Sequence, residues 1–121
     1  SCMKKTILTR DILITLLGQG LFINRGEISQ TTSINDLNLD FASGTYTVLG
    51  LAGVINTPKP VKDEYAMLLI NLNFKPYTGN GRIQIGITSL SGSMYFRHKW
   101  YTDNWSSWKM VDFTLAETNV L

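Results

Sequence analysis

Cysteine and histidine are nearly absent from this sequence, and their scarcity removes several classes of function. The chain has 1 cysteine and 1 histidine in 121 residues. Cys2 has no partner for an internal disulfide, and its place at the end of the chain is typical of a residue left by an expression tag. A zinc site, which draws mainly on cysteine and histidine ligands, is excluded by the same count. We expect neither a disulfide nor a bound metal or cofactor.

An excess of one charge and long apolar runs are also lacking. The formal net charge is +2, and the basic residues are scattered from Lys4 to Lys109, whereas nucleic-acid-binding proteins usually gather them on one face. No segment approaches the ~18 apolar residues of a membrane-spanning helix. Arg10 and Asp11 interrupt the apolar N-terminal segment, and no signal-peptide cleavage site follows it. Neither nucleic-acid binding nor membrane insertion is therefore expected.

Paired catalytic groups are missing as well. The acidic residues show no spacing that requires a carboxylate pair, and Asp36 and Asp40 are expected to serve turns and caps. His98 shares a predicted strand face with Phe96 and Trp100, so we expect a core or interface residue rather than a catalytic base. The sequence thus predicts a chain that is not an enzyme.

What the sequence does contain is a series of short strand patterns separated by clusters of Gly, Pro, Asn or Ser. Between residues 82 and 87 the isoleucines point to one side, and Arg82, Gln84 and Gly86 point to the other. The patterns predict a mainly β fold: a single antiparallel domain of about six strands, sandwich-like or a partly rolled sheet, with a short N-terminal helix. The predicted strands cover residues 21–23, 45–49, 65–74, 82–87 and 94–100, with a return strand that opens at Trp105 or Trp108 and runs through Met110.

Helical patterns are few. Residues 6–17 place five leucine and isoleucine side chains on one face, but several β-branched residues weaken the helix prediction. So short a helix must dock either on its own domain or on copies of itself, and the sequence leaves both open. A single helical turn is predicted at residues 33–38, with Ser33 as its cap. The predicted organisation is an N-terminal helical or oligomerisation segment at 1–20, a β domain at 21–112 and a C-terminal tail at 113–121.

The most distinctive stretch is a predicted hairpin that contains all 3 tryptophans. Its turn, Thr102-Asp103-Asn104, has residue types that bond their own main chain. Trp108 is expected to close the core. Trp105 borders the turn, so the sequence leaves open whether it lies in the core or at a binding surface.

Six short motifs follow one another in the order of a known family. They are Asp36-Leu37-Asn38, Gly44-Thr45-Tyr46, Asn56-Thr57-Pro58, Arg82-Ile83-Gln84-Ile85, Tyr95-Phe96-Arg97 and Trp105-Ser106-Ser107-Trp108-Lys109. In this order they resemble the knob domain of phage tail fibres and R-type pyocin tail fibres. The resemblance covers residues 22–112. Two segments depart from it: the apolar segment before Leu21, and the loop 51–64, which is richer in Lys and Pro.

The resemblance implies a receptor-binding module on a trimeric fibre, located in a virion tail or a phage-like particle made in the host bacterial cytoplasm. Its implied partners are other tail-fibre segments and a bacterial surface polysaccharide or lipopolysaccharide, which it would recognise without catalysis. Two alternatives remain open at this stage. One is a purely structural fibre or baseplate module with no ligand, and the other is a fragment of a depolymerase.

Glycan binding requires aromatic faces that stack on sugar rings and polar groups that bond their hydroxyls. One end of the predicted hairpin supplies both kinds of group within a few residues. The candidate glycan-binding residues are Trp100, Tyr101, Asp103, Asn104 and Trp105.

Overall fold

A computed structural model describes residues 23–60, 63–75, 79–112 and 114–119. Its strands form one six-stranded sheet in the order of the sequence. The strands are β1 (Asn24–Ile28), β2 (Gly44–Leu49), β3 (Ala66–Phe74), β4 (Gly81–Thr88), β5 (Met94–Trp100) and β6 (Lys109–Met110).

The predicted mainly β architecture with about six strands is confirmed. Strands β2 to β5 agree with the predicted strands to within one residue at each end. The sheet is mixed rather than purely antiparallel, because β1 pairs with β2 in parallel. Loops and one turn of 3-10 helix (Leu51–Gly53), rather than a second sheet, cover its packed face, and they contribute Leu37, Phe41 and Leu51 to the core.

Three local predictions are corrected. The first described strand includes Asn24, Arg25 and Gly26, which were expected to end a strand, and most of it is exposed, so no apolar alternation marks it. Residues 21 and 22 of the predicted strand lie outside the described residues. The return strand contains only Lys109 and Met110. The turn predicted from Ser33 instead forms around Asp36, whose Oδ1 accepts a hydrogen bond from the Asn38 amide at 2.8 Å.

Two predicted segments receive no test. The helix at residues 6–17 and the N-terminal segment 1–20 lie outside the described residues, as do residues 113, 120 and 121 of the predicted tail. Within the part of the chain that is described, no helix has the length and hydropathy needed to cross a membrane.

The packed face of the sheet is apolar at one end and polar at the other. Tyr46 and Val48 of β2 lie opposite Leu69 and Met67 of β3, and all four are buried. Further along the same face, β3, β4 and β5 align two rows of polar side chains. The first polar row is Asn71, Gln84 and Arg97, and the second polar row is Asn73, Arg82 and Lys99.

These rows are polar because a loop, not a helix or a strand, lies on them. The loop 37–42 presents backbone carbonyls to the sheet, and buried carbonyls require donors. Gln84 Nε2 donates to the Leu37 oxygen at 2.9 Å, and Arg82 Nη1 donates to the Leu39 oxygen at 2.9 Å. Asn71 Nδ2 and Asn73 Nδ2 both donate to the Phe41 oxygen, at 3.1 and 2.9 Å. The polar rows therefore fix the loop on the sheet.

The opposite face carries the isoleucines of β4, and we call it the isoleucine face. The loop and helical-turn residues that reach the core lie on the packed side, so no described element outside the sheet covers this face. Leu68 is 43% exposed there. His98 is exposed on this face, so its predicted place in the core of the chain is wrong, while a place in an interface stays a prediction. The members of the face are Leu68, Ile70, Leu72, Phe74, Ile83, Ile85, Ile87, Met94, Phe96, His98 and Trp100.

Candidate functional site

Arginine and aromatic side chains alternate across the polar half of the packed face. The Arg82 guanidinium carbon lies 5.3 Å from the centre of the Phe41 ring and 5.7 Å from that of Trp105. The Arg97 guanidinium carbon lies 4.0 Å from Trp105 and 4.8 Å from Trp108. We call this series, Phe41, Arg82, Trp105, Arg97 and Trp108, the ladder. Each cation over a ring face contributes about 0.5–2 kcal/mol, more as the pair is desolvated.

The segment after β5 supplies both tryptophans of the ladder. At Tyr101 the backbone turns into the left-handed region, with φ of 51°, and the chain folds back over the packed face. Ser106 fastens it to β5 twice: its amide donates to the His98 oxygen at 2.8 Å, and its Oγ accepts from the His98 amide at 3.0 Å. Trp108 Nε1 donates to the Asn56 oxygen at 2.9 Å, which joins this segment to the loop 50–60.

The two arginines of the ladder have unequal partners. Arg82 donates to Asn73 and Leu39 and forms an ion pair with Asp40 at 2.8 Å. Arg97 is only 3% exposed, yet its described hydrogen bonds consist of one, from Nε to Gln84 Oε1 at 2.8 Å. Its Nη2 is buried without a hydrogen-bond partner among the described residues.

The pKa of Arg97 is lowered to about 10, mainly by burial; the negative charge of Asp36 opposes this shift, and the positive charge of Arg82 adds to it. The guanidinium stays charged at neutral pH, but burying its charge is costly because no carboxylate of the described residues forms an ion pair with it. The site is therefore short of negative charge.

Two grooves border the ladder. The first groove has a volume of about 700 Å³ and lies where β3, β4 and β5 meet the loop 40–42. The second groove has a volume of about 450 Å³ and lies between the segment 104–108 and the loops at Asn38 and Asn56. Lys99 lines both grooves and so connects them. The polar and aromatic groups of the first groove include Asp40, Asn73, Asn80, Arg82, Lys99 and Tyr101.

Comparison with protein-family models, curated proteins and solved structures finds no match for this chain. Function is accordingly inferred from the grooves and from the order of the sequence motifs.

Three of the five candidate residues from the sequence line one of the two grooves. Tyr101 lines the first groove and is 57% exposed. Asn104 and Trp105 line the second groove. Trp100, 45% exposed, lines neither groove and instead packs near Phe74, with ring centres 6.2 Å apart. Asp103 is exposed and also lines neither. The five residues remain a prediction as a binding set, and the geometry favours three of them.

Other residues of the grooves could not be recognised from their local sequence. Asn38, Asn56 and Asn73 stand far from the hairpin in sequence and meet it only through the fold. Arg82 was assigned to the side of β4 opposite the isoleucines, which is correct. No local signal marks this side as the packed side, because the loop carbonyls that Arg82 and Gln84 bond lie more than forty residues away in sequence.

Two carboxylates of the described residues, Glu64 and Asp36, have structural hydrogen-bond partners. Glu64 accepts hydrogen bonds from the Leu90 and Ser91 amides at 2.8 and 2.7 Å, and so anchors the turn between β4 and β5. Asp36 accepts from Asn56 Nδ2 at 2.7 Å. Among the described residues, no three His, Cys, Asp or Glu side chains form a group suited to a metal ion. The arrangement is suited to holding a polar ligand.

Proposed function

We propose that this chain is a receptor-binding module of a phage or phage-like tail fibre, which recognises a bacterial surface glycan without catalysis. The observation that carries the proposal is the first groove. It combines the exposed ring of Tyr101 with the amides of Asn73 and Asn80 and the charged groups of Asp40 and Lys99. A cleft that pairs apolar surface with a few convergent polar groups is the usual form of a small-ligand site.

The chemistry of the groove matches a sugar better than a flat aromatic or a purely apolar ligand. Sugar rings present C–H groups on one face, which pack on aromatic rings, and hydroxyls at their edges, which pair with amides and carboxylates. The Asn73 amide is held in place by its neighbours: its Oδ1 accepts from Arg82 Nε at 2.9 Å, and its Nδ2 donates to the Phe41 oxygen. A prepositioned polar group loses less entropy when a ligand binds.

The resemblance to tail-fibre knob domains supports the rest of the proposal. Lipopolysaccharide or capsular polysaccharide is the proposed ligand, and other fibre segments are the proposed neighbours in a virion tail. The proposed assembly is a homotrimer, in which individually weak glycan sites gain avidity. The isoleucine face, with Leu68 at 43% and Phe74 at 43% exposure, offers the apolar surface that such an assembly would bury.

That same face favours a second candidate function, a structural fibre or baseplate module that trimerises and binds no glycan. The two candidates share the assembly and differ in the grooves. A depolymerase remains the least supported reading, and release of reducing sugar from capsule would be its evidence.

The purified chain is tested on an array of bacterial surface glycans, with its mass in solution measured by light scattering in parallel. Binding to the array is expected, together with three times the chain mass. Tyr101→Ala is expected to weaken binding on the order of tenfold, because an anchoring aromatic side chain carries about 1–2 kcal/mol or more. Tyr65→Ala is the matched control, since Tyr65 is 70% exposed and lines neither groove.

Each outcome decides between the candidates. A trimer that binds no glycan supports the structural module and contradicts the receptor-binding module. Equal loss of binding in both tyrosine variants would show that the first groove is not the site. A chain that stays monomeric at high concentration contradicts the proposed assembly.

A further inference from the structure

The second groove has a composition different from that of the first. It brings together two positively charged groups, Arg97 and Lys99, and two tryptophans, Trp105 and Trp108. Amides stand around its rim, from Asn38, Asn56 and Asn104. No acidic side chain lines it among the described residues.

The positive charge of this groove is not balanced within the described chain. Arg82, Arg97 and Lys99 lie on neighbouring strands, with Arg82 directly opposite Lys99. The one ion pair among the described residues joins Arg82 to Asp40, whose side chain is 99% exposed. Asp36, the acidic group that acts on Arg97, is already bonded to the Asn38 amide and to the Asn56 side chain.

A purely structural role for Arg97 accounts for only part of its setting. Its contacts with Trp105 and Trp108, at 4.0 and 4.8 Å, offset some of the cost of burying the charge. Each such contact contributes about 2 kcal/mol when the pair is desolvated, whereas removing an ion from water costs several kcal/mol. Among the described residues, Nη2 still lacks a hydrogen-bond acceptor. A cation so deeply buried is normally paired.

We propose that the second groove binds the anionic group of an acidic glycan, a carboxylate or a phosphate, with Lys99 and Arg97 supplying the positive charge. This inference rests on the proposed glycan-binding function and specifies its ligand. Lys99 contacts the anion directly from the rim, and the buried guanidinium of Arg97 supplies charge behind the tryptophan rings. The amides of Asn38, Asn56 and Asn104 bond the hydroxyls of the same sugar.

The position of Lys99 predicts how the proposed ligand lies across the two grooves. Because Lys99 lines both grooves, one oligosaccharide can lie across it, with one sugar against Tyr101 and the acidic sugar in the second groove. The two grooves then act as neighbouring subsites of one binding surface.

The three tryptophans provide a test within the intact chain. Each gives one indole N–H signal in a ¹⁵N-correlated NMR spectrum, and single Trp→Phe variants assign them. Trp105 and Trp108 line the second groove, while Trp100 lines neither groove. The chain is titrated at constant ionic strength with glucuronate, with glucose 6-phosphate and with glucose, which share a ring and differ in charge.

An anionic sugar is expected to shift the Trp105 and Trp108 signals at about one tenth of the glucose concentration, as a charge-assisted hydrogen bond implies. The ligand that acts at lower concentration distinguishes carboxylate from phosphate. Lys99→Gln is expected to remove most of this preference. Lys109→Gln is the control, because it makes the same charge change at a residue that lies opposite Phe96, on the isoleucine face.

Three results would overturn the inference. The first is that glucose matches the anionic sugars in potency. The second is that the shifts are confined to the Trp100 signal. The third is that the two lysine variants show the same preference. A chain that binds only neutral glycans on the array keeps the proposed function and loses this inference. A chain that binds no glycan in either experiment loses both.

Discussion

Replacing Gln84 with leucine is expected to destabilise the fold by about 3–5 kcal/mol, although leucine is the more apolar residue. Gln84 is fully buried and lies at the centre of the first polar row. It donates to the Leu37 oxygen and to Asn71 Oδ1, and it accepts from Arg97 Nε. Leucine would leave these three groups buried without a partner, and each such group costs about 1–3 kcal/mol. Urea denaturation at fixed protein concentration measures the change.

The control is the adjacent position on the opposite face. Ile85→Gln is expected to cost about 1 kcal/mol, because that side chain is already in part contact with water. If the isoleucines formed the core of the chain, the two effects would be reversed. A leucine at position 84 that stabilises the protein, with glutamine at position 85 unfolding it, would therefore contradict the assigned packed face.

Replacing Trp105 with leucine is expected to cost about 1–4 kcal/mol, from two lost cation–π contacts of about 0.5–2 kcal/mol each. The Trp105 ring contacts both guanidinium groups of the ladder, at 5.7 Å from Arg82 and 4.0 Å from Arg97. Leucine keeps much of the apolar volume but has no π face, so the two cations would approach each other with nothing between them that favours positive charge. The free energy of unfolding, again from urea denaturation, is the readout.

Two further variants distinguish the effect of the aromatic ring from the effect of side-chain volume. Trp105→Phe restores an aromatic face and is expected to recover most of the loss, and no hydrogen bond is sacrificed because Trp105 Nε1 has no partner among the described residues. Trp100→Leu removes a tryptophan that is 45% exposed and is expected to cost about 1 kcal/mol or less. Equal destabilisation by leucine and phenylalanine at position 105 would mean that Trp105 stabilises the fold by its packing volume and not by cation–π contacts.

The strands could be predicted from the sequence because their signals are local. Residues 94–100 and 82–87 alternate in polarity, and residues such as Gly79 and Asn80 mark the turn between β3 and β4. The first strand gave no such signal. It pairs with β2 in parallel, after a long loop, and its side chains are mostly exposed.

The packed face could not be chosen from the pattern of β4 alone. Isoleucines on one side and Arg82 with Gln84 on the other ordinarily place the isoleucines in the core. Here the loop 37–42 covers the polar side, and its carbonyls are bonded by side chains more than forty residues away, such as Gln84 to Leu37 and Arg82 to Leu39. Contacts at that sequence separation depend on register and leave no local pattern.

The candidate site was predictable in part for the same reason. Tyr101, Asn104 and Trp105 are close in sequence and supply the right types of side chain, so they could be proposed from the hairpin. The partners Asn38, Asn56 and Asn73 reach the grooves only through loop and strand placement. Arg97 stacks on the tryptophans, but the lack of a partner for its Nη2 among the described residues is visible only in three dimensions.

The most direct measurement is a crystal structure of the chain bound to an acidic oligosaccharide selected from the glycan array. A sugar ring is expected against Tyr101 in the first groove, with the anionic group of the next sugar within hydrogen-bond distance of Lys99 in the second groove. A ligand found on the isoleucine face, or one that contacts neither Tyr101 nor Lys99, would contradict the assignment of these grooves as the glycan site.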